Sequence, residues 1–127
     1  MTPPDGAPRP VAASVTVATS RPRELARFYA RLLGLAVTTE EDGWAQIRPP
    51  GGGLTLSFEF DRHHARPVWP SEPGRQTATQ HLDLQVRDLD AAVRRAVDCG
   101  AVLAGHQPQD DVRVLLDPDG HPFCLFL

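Results

Sequence analysis

The sequence predicts an α+β fold: two tandem βαβββ modules whose eight strands line a cup, with the helices on its outer face. Three observations carry this. Residues 14–35, SVTVATSRPRELARFYARLLGL, read as an alternating strand, a polar break, an amphipathic helix and a stopping glycine. Residues 81–102, HLDLQVRDLDAAVRRAVDCGAV, repeat that grammar. Val15, Val17, Leu25 and Gly34 are answered by Leu82, Leu84, Ala92 and Gly100, 67 residues on in the strands and 66 at the glycines. A repeat of this length sets the architecture before any single motif does. Third, the strands alternate strictly, so one sheet face is apolar and the other collects hydroxyls, carboxylates and a histidine.

The elements follow in order. The start, MTPPDGAPRP, has neither a basic region nor an apolar run and reads as a disordered tail over 1–11. A single domain is expected over 12–127, with module one at 12–60, a linker at 61–78 and module two at 79–127. Strands of module one are expected near 12–18, 35–39, 43–48 and 54–60. Its helix carries Leu25, Phe28, Leu32 and Leu33 on one face, with Ser20 as N-cap, Pro22 in the first turn and Gly34 as the stop. Asp42-Gly43 and the PPGGG run at 49–53 punctuate its strands. The segment DRHHARPVWPSEPGRQ at 61–76 is rich in proline and polar residues, as a linker should be. Module two has strands near 79–86, 101–105, 111–116 and 122–127. Its helix presents Leu89, Ala92, Val93, Ala96 and Val97, is capped by Asp88 and ends at Gly100. DPDG at 117–120 turns the chain into the last strand.

On strand 81–86, Leu82, Leu84 and Val86 belong to the apolar face, so His81, Asp83 and Gln85 face the other way. By the same rule Ser14 and Thr16 oppose Val15 and Val17, and Thr55, Ser57 and Glu59 oppose Leu54, Leu56, Phe58 and Phe60. A sheet with helices on one face and polar groups on the other describes a cup that binds something.

Composition narrows the function classes. A net charge of −3 gives no basic footprint for nucleic acid. No run approaches the roughly 18 apolar residues needed to span a bilayer. All 13 basic residues are arginines, which fits codon bias in a GC-rich genome. Two cysteines, Cys99 and Cys124, do not make a disulfide scaffold, so a reduced, cytoplasmic location is expected.

With these residues in view, the chain resembles the vicinal oxygen chelate superfamily of glyoxalases, bleomycin-binding proteins and extradiol dioxygenases. The motifs that carry the resemblance are the FY…LLG helix end at 28–34, HLDLQVRDLDAA at 81–92 and the closing DPDGHPFCLFL. RPVWP and the PFC ending resemble small actinobacterial glyoxalase-like proteins most. The resemblance implies an eight-stranded half-barrel, a homodimer, and in metalloenzyme members four ligand positions on strands. Those positions fall on Ser14, on Ser57 (with Glu59 one inward position further), on His81 and on Cys124. Only His81 matches the usual donor, so the expectation is a member that has lost its metal and carries no cofactor.

The leading expectation is therefore a metal-independent protein that acts on or sequesters an organic metabolite or drug. A metal-dependent lyase or dioxygenase using His81, Glu59 and Cys124 is the alternative. His81 with Asp83 on the same face reads either as an acid/base pair or as a structural hydrogen bond. Glu59 is either a partner carboxylate or a solvated rim group. Candidate ligand contacts are Ser14, Trp44, Gln46, Ser57, Trp69, Arg113 and Cys124. Of these, Arg113 suits a ligand carboxylate or a charge partner within the cup, and Trp69 suits packing as well as stacking. Cys124 reads as a buried filler. His63, His64, His106 and His121 fall in linkers or turns, and the His63-His64 pair has no spaced partners, so no metal role is expected of it.

Overall fold

The computed structural model describes residues 6–127, so the first five residues of the expected tail lie outside the described residues; 6–13 are exposed and carry no helix or strand. Module one comprises β1 (Ser14–Thr19), α1 (Pro22–Leu33), β2 (Thr39–Glu41), β3 (Trp44–Ile47) and β4 (Thr55–Phe60). Module two repeats it with β5 (Leu82–Gln85), α2 (Leu89–Cys99), β6 (Val102–Leu103), β7 (Val112–Leu116) and β8 (Pro122–Phe126). The eight strands form two separate four-stranded sheets of equivalent order, β1-β4-β3-β2 and β5-β8-β7-β6. In each, the first strand pairs parallel with the last, Val15 opposite Leu56 and Leu82 opposite Phe123. β1 and β5 are thus open edges.

α1 packs on β3 and β4, α2 on β6, β7 and β8, and the helices touch each other. The core between them is aromatic: Phe28, Tyr29, Phe58 and Phe123 are all buried. The Phe28 and Tyr29 rings meet edge-on at 4.8 Å, and Tyr29 stacks on Phe58 at 5.7 Å. Edge-on and offset contacts of this kind are the favoured aromatic geometries.

Both glycine stops hold. Gly34 adopts the left-handed conformation at φ 68, which L side chains rarely accept, and its N–H returns to the last turn of α1. Asp88 caps α2 through a bond from the Ala91 N–H at 3.0 Å. Several expectations need correction. Ser20 is not the cap of α1: Arg21 holds that position without a side-chain bond, and both the Ser20 N–H and hydroxyl donate to Asp119 instead. β2 starts at Thr39, because the chain leaves the helix cap along Leu35 and meets β3 only where the Thr38 N–H reaches the Gln46 carbonyl. Leu54 and Phe60 lie at the sheet ends, beyond the helix, and are exposed, as is Val97 on α2. Within the linker a parallel bridge joins Val68 to Thr77, while Arg66 and Trp69 bond the Pro118 and His106 carbonyls of module two. No described helix is long and apolar enough to cross a membrane.

Candidate functional site

The open edges of β1 and β5 leave a seam between the two sheets, and the linker lies along it. There the chain forms a half-open cavity of about 600 Å³, within the range that holds drug-sized ligands. Val15–Ala18 of β1 form one wall, and Thr79–Leu82, leading into and opening β5, another. The linker supplies His63 and His64, and the turn before β8 supplies His121 and Pro122. Tyr29 lies against it from α1. Four of the five histidines therefore line one cavity: His63, His64, His81 and His121.

His81 is the one sequence-selected candidate among these lining residues. Its Nε2 stands 3.2 Å from Asp83 Oδ1, with the two side chains 48% and 59% exposed. Asp83 sits opposite Cys124 in the parallel β5–β8 pair, which brings the Cys124 thiol into the same group. Burial, with the Asp83 carboxylate beside it, pushes the Cys124 thiol up from its ordinary pKa, so it is a protonated donor at neutral pH.

The other candidates stand elsewhere. Glu59 and Trp44 face each other across β3 and β4 in the first sheet, and Glu59 borders a shallower hollow with Asp61 and Arg62. Gln46 donates from Nε2 to the buried Ser57 hydroxyl at 3.0 Å, so each occupies the other. Ser14 is exposed opposite Thr55. Arg113 spends its Nη1 on the Asp110 and Val112 carbonyls at 2.7 and 2.9 Å. Trp69 donates to the His106 carbonyl at 3.1 Å and packs near that ring, outside the cavity lining.

Two of the strand positions that hold metal in the superfamily's metalloenzymes carry serine here, Ser14 exposed and Ser57 bonded to Gln46. The other two, His81 and Cys124, stand with Asp83 as three possible ligand atoms within 4.8 Å of one another. Zinc is bound by nitrogen, sulfur and carboxylate donors, which the two serines do not supply.

A second polar group flanks the cavity, and nothing in local sequence announces it. Asp119, in the DPDG turn, accepts from the Thr19 hydroxyl at 2.6 Å and from the Ser20 N–H and hydroxyl, both at 2.9 Å. His64 Nε2 lies 3.2 Å from its Oδ2. Burial alone would raise the Asp119 carboxyl, but the hydrogen bonds from Thr19 and Ser20 and the nearby His64 outweigh it and hold it below the usual carboxylate range. His121 Nε2 bonds the Ala18 carbonyl at 2.8 Å, and its ring centre is 5.1 Å from that of His64. Asp117 shapes the turn, its Oδ1 accepting from the Asp119 and His121 N–H groups. Turn residues of module two thus reach the end of β1 and the linker, a contact separated by about a hundred residues of chain. The available signal was only compositional, the crowding of histidine in two turn segments.

Comparisons agree with this architecture. The glyoxalase/bleomycin resistance protein/dioxygenase family enzyme from Burkholderia phytofirmans PsJN superposes with a TM-score of 0.64 at 16% identity, over 90% of this chain and 95% of that one. A possible glyoxalase from Bacillus cereus gives 0.68 at 13% identity, over 92% and 98%. The glyoxalase family protein from Enterococcus faecalis gives 0.67 at 21% identity, over 94% and 98%. No curated protein matches the sequence. A family profile, the Glyoxalase-like domain, matches residues 14–126. With nearly its whole length inside that profile and its two βαβββ modules in the superfamily's arrangement, the chain belongs to the glyoxalase-like family of the vicinal oxygen chelate superfamily.

Proposed function

We propose that this protein binds a small organic metabolite or drug in the seam cavity, without using an ion at the superfamily's strand positions. The observation that carries this is the 600 Å³ cavity, with apolar Val15, Val17 and Leu82 beside four imidazoles. A mostly apolar pocket with a few convergent polar groups is the usual form of a small-molecule site. Imidazoles offer hydrogen-bonding nitrogens, which suits a ligand with hydroxyl or carbonyl groups.

The test is ligand-observed NMR on untagged, metal-stripped protein against a library of metabolites and drugs. The expected result is a set of ligands whose binding Thr16→Trp abolishes by filling the cavity from β1. A library with no binder, or binders indifferent to Thr16→Trp, overturns the proposal.

The His81–Asp83 contact supports a catalytic version, in which His81 moves a proton for an isomerisation, elimination or hydration of the bound molecule. For any ligand that is turned over, His81→Ala is expected to abolish turnover while leaving the melting temperature nearly unchanged, because both side chains are half-exposed. Full activity in that variant overturns the proton-transfer role of His81.

A homodimer belongs to the same proposal. Val97 on α2 and Val102 and Leu103 on the neighbouring β6 are exposed and apolar, a surface that pairing would cover. Light scattering is expected to give twice the chain mass. Two free cysteines support a reducing, cytoplasmic setting, and the arginine-only basic set supports an actinobacterial source.

A further inference from the structure

We infer that His64, Asp119 and His121 form a binding site for a divalent transition metal ion of the zinc type, in the cavity wall and apart from the superfamily's strand positions. One ligand atom from each of the three lies within 4.8 Å of the other two. Two imidazoles and a carboxylate are the donor set of zinc and its neighbours, whereas magnesium and calcium call for oxygen alone.

The spacing fits. His64 Nε2 and Asp119 Oδ2 are 3.2 Å apart. Two ligands on a tetrahedral zinc, with bonds of roughly 2.0–2.2 Å, stand about 3.3 Å from each other. His64 Nε2 also lies 3.1 Å from the Asp119 main-chain carbonyl, a hydrogen bond that an ion at the site would replace. Two of the three donors, Asp119 and His121, are held by further hydrogen bonds, as metal ligands are. Thr19 and Ser20 hold the Asp119 carboxylate through three bonds. The Ala18 carbonyl takes His121 Nε2, which orients the ring and leaves Nδ1 as its free donor. The His64 side chain is only 8% exposed, so its position is fixed by packing. No buried side-chain nitrogen or oxygen among the described residues lacks a partner. His121 Nδ1 has no bonding partner among the described residues, and His121 lines the cavity. A fourth position on the ion would face the same space, where water or an organic ligand could take it.

The competing group, His81 with Asp83 and Cys124, has two of its side chains half-exposed, which makes it the internal control. The site proposed here stands on its own three side chains and does not need the organic ligand of the preceding section.

Calorimetric titration of the untagged, metal-stripped chain with Zn(II), and the visible spectrum of the Co(II) form, test it. One equivalent is expected to bind, with affinity reduced roughly tenfold or more in His64→Ala and in His121→Ala and retained in His81→Ala. Imidazole nitrogen NMR of the wild-type chain covers the case in which a variant fails to fold: Zn(II) is expected to shift the His64 and His121 signals and leave His81 in place. No uptake by the wild-type chain, unshifted His64 and His121 signals, or binding lost in His81→Ala and kept in the other two, overturns the site.

Discussion

The Tyr29 hydroxyl on α1 donates a 2.7 Å hydrogen bond to Asp117 Oδ2, in the turn between β7 and β8, across 88 residues of chain. Both groups are buried, and burial drives both pKa values up, the phenol's with help from the Asp117 charge. This bond ties the helix of one module to the turn of the other. Tyr29→Phe keeps the ring stack and removes only the donor, leaving a buried carboxylate oxygen short of a partner. Urea unfolding is expected to show a loss of about 1–3 kcal/mol; an unchanged midpoint would mean water replaces the phenol.

The two turn carboxylates respond oppositely to acid. Asp119 sits below the ordinary range when folded, so its stabilisation is present above about pH 4 and is lost as pH falls through its folded value. Asp117 is raised, so its contribution is full below the unfolded value and is lost as pH rises through the folded one. Stability measured between roughly pH 5 and pH 3 is expected to fall less steeply in Asp119→Asn and more steeply in Asp117→Asn than in the unaltered chain. Identical slopes in all three would refute this assignment.

Cys124 provides a chemical readout of β5–β8 pairing. In a Cys99→Ala background, alkylation near neutral pH is expected to be slower than that of a free thiol of ordinary pKa, because burial and Asp83 keep the proton on sulfur. Asp83→Asn removes the charge and is expected to speed the reaction. If the rate ignores Asp83, the thiol and carboxylate do not touch in solution.

Gly120 turns the chain at φ 92, and a Cβ there would stand 3.1 Å from Arg66 Cβ, Nε and Cζ. Arg66 would have to move off the Pro118 carbonyl that it bonds at 3.0 Å. Gly120→Ala is expected to cost about 1–2 kcal/mol from the backbone alone. Gly51→Ala, with negative φ and open space around it, is the near-neutral comparison by thermal melting.

Two phenylalanines two residues apart on β4 separate core from rim. Phe58 is fully buried against Tyr29, while Phe60 is 50% exposed. Phe58→Ala is expected to cost about 3–5 kcal/mol and Phe60→Ala far less, measured by denaturant unfolding.

Much of the fold was readable from residue order because it rests on local rules. The period of Leu25 and Phe28, the Asp88 cap, the Gly34 and Gly100 stops and the alternation through Leu82 and Leu84 each act within a few residues. The 67-residue repeat of strands then made the two sheets equivalent. Strand ends such as Leu54 and Phe60 escaped, because alternation cannot say how far the covering helix extends. His81 beside Asp83 was equally local, two positions apart on one strand face. The assembly of His64, Asp119, His121, Thr19 and Ser20 was not, since it joins the end of β1, a proline-rich linker and a turn from the other module. In sequence those residues are a linker histidine, an aspartate and a histidine in one turn, a strand-end threonine and an expected helix-cap serine, each with a satisfactory local reading. Only the docking of the two modules, which the buried aromatic core enforces, brings them within bonding distance and opens the β1–β5 seam beside them.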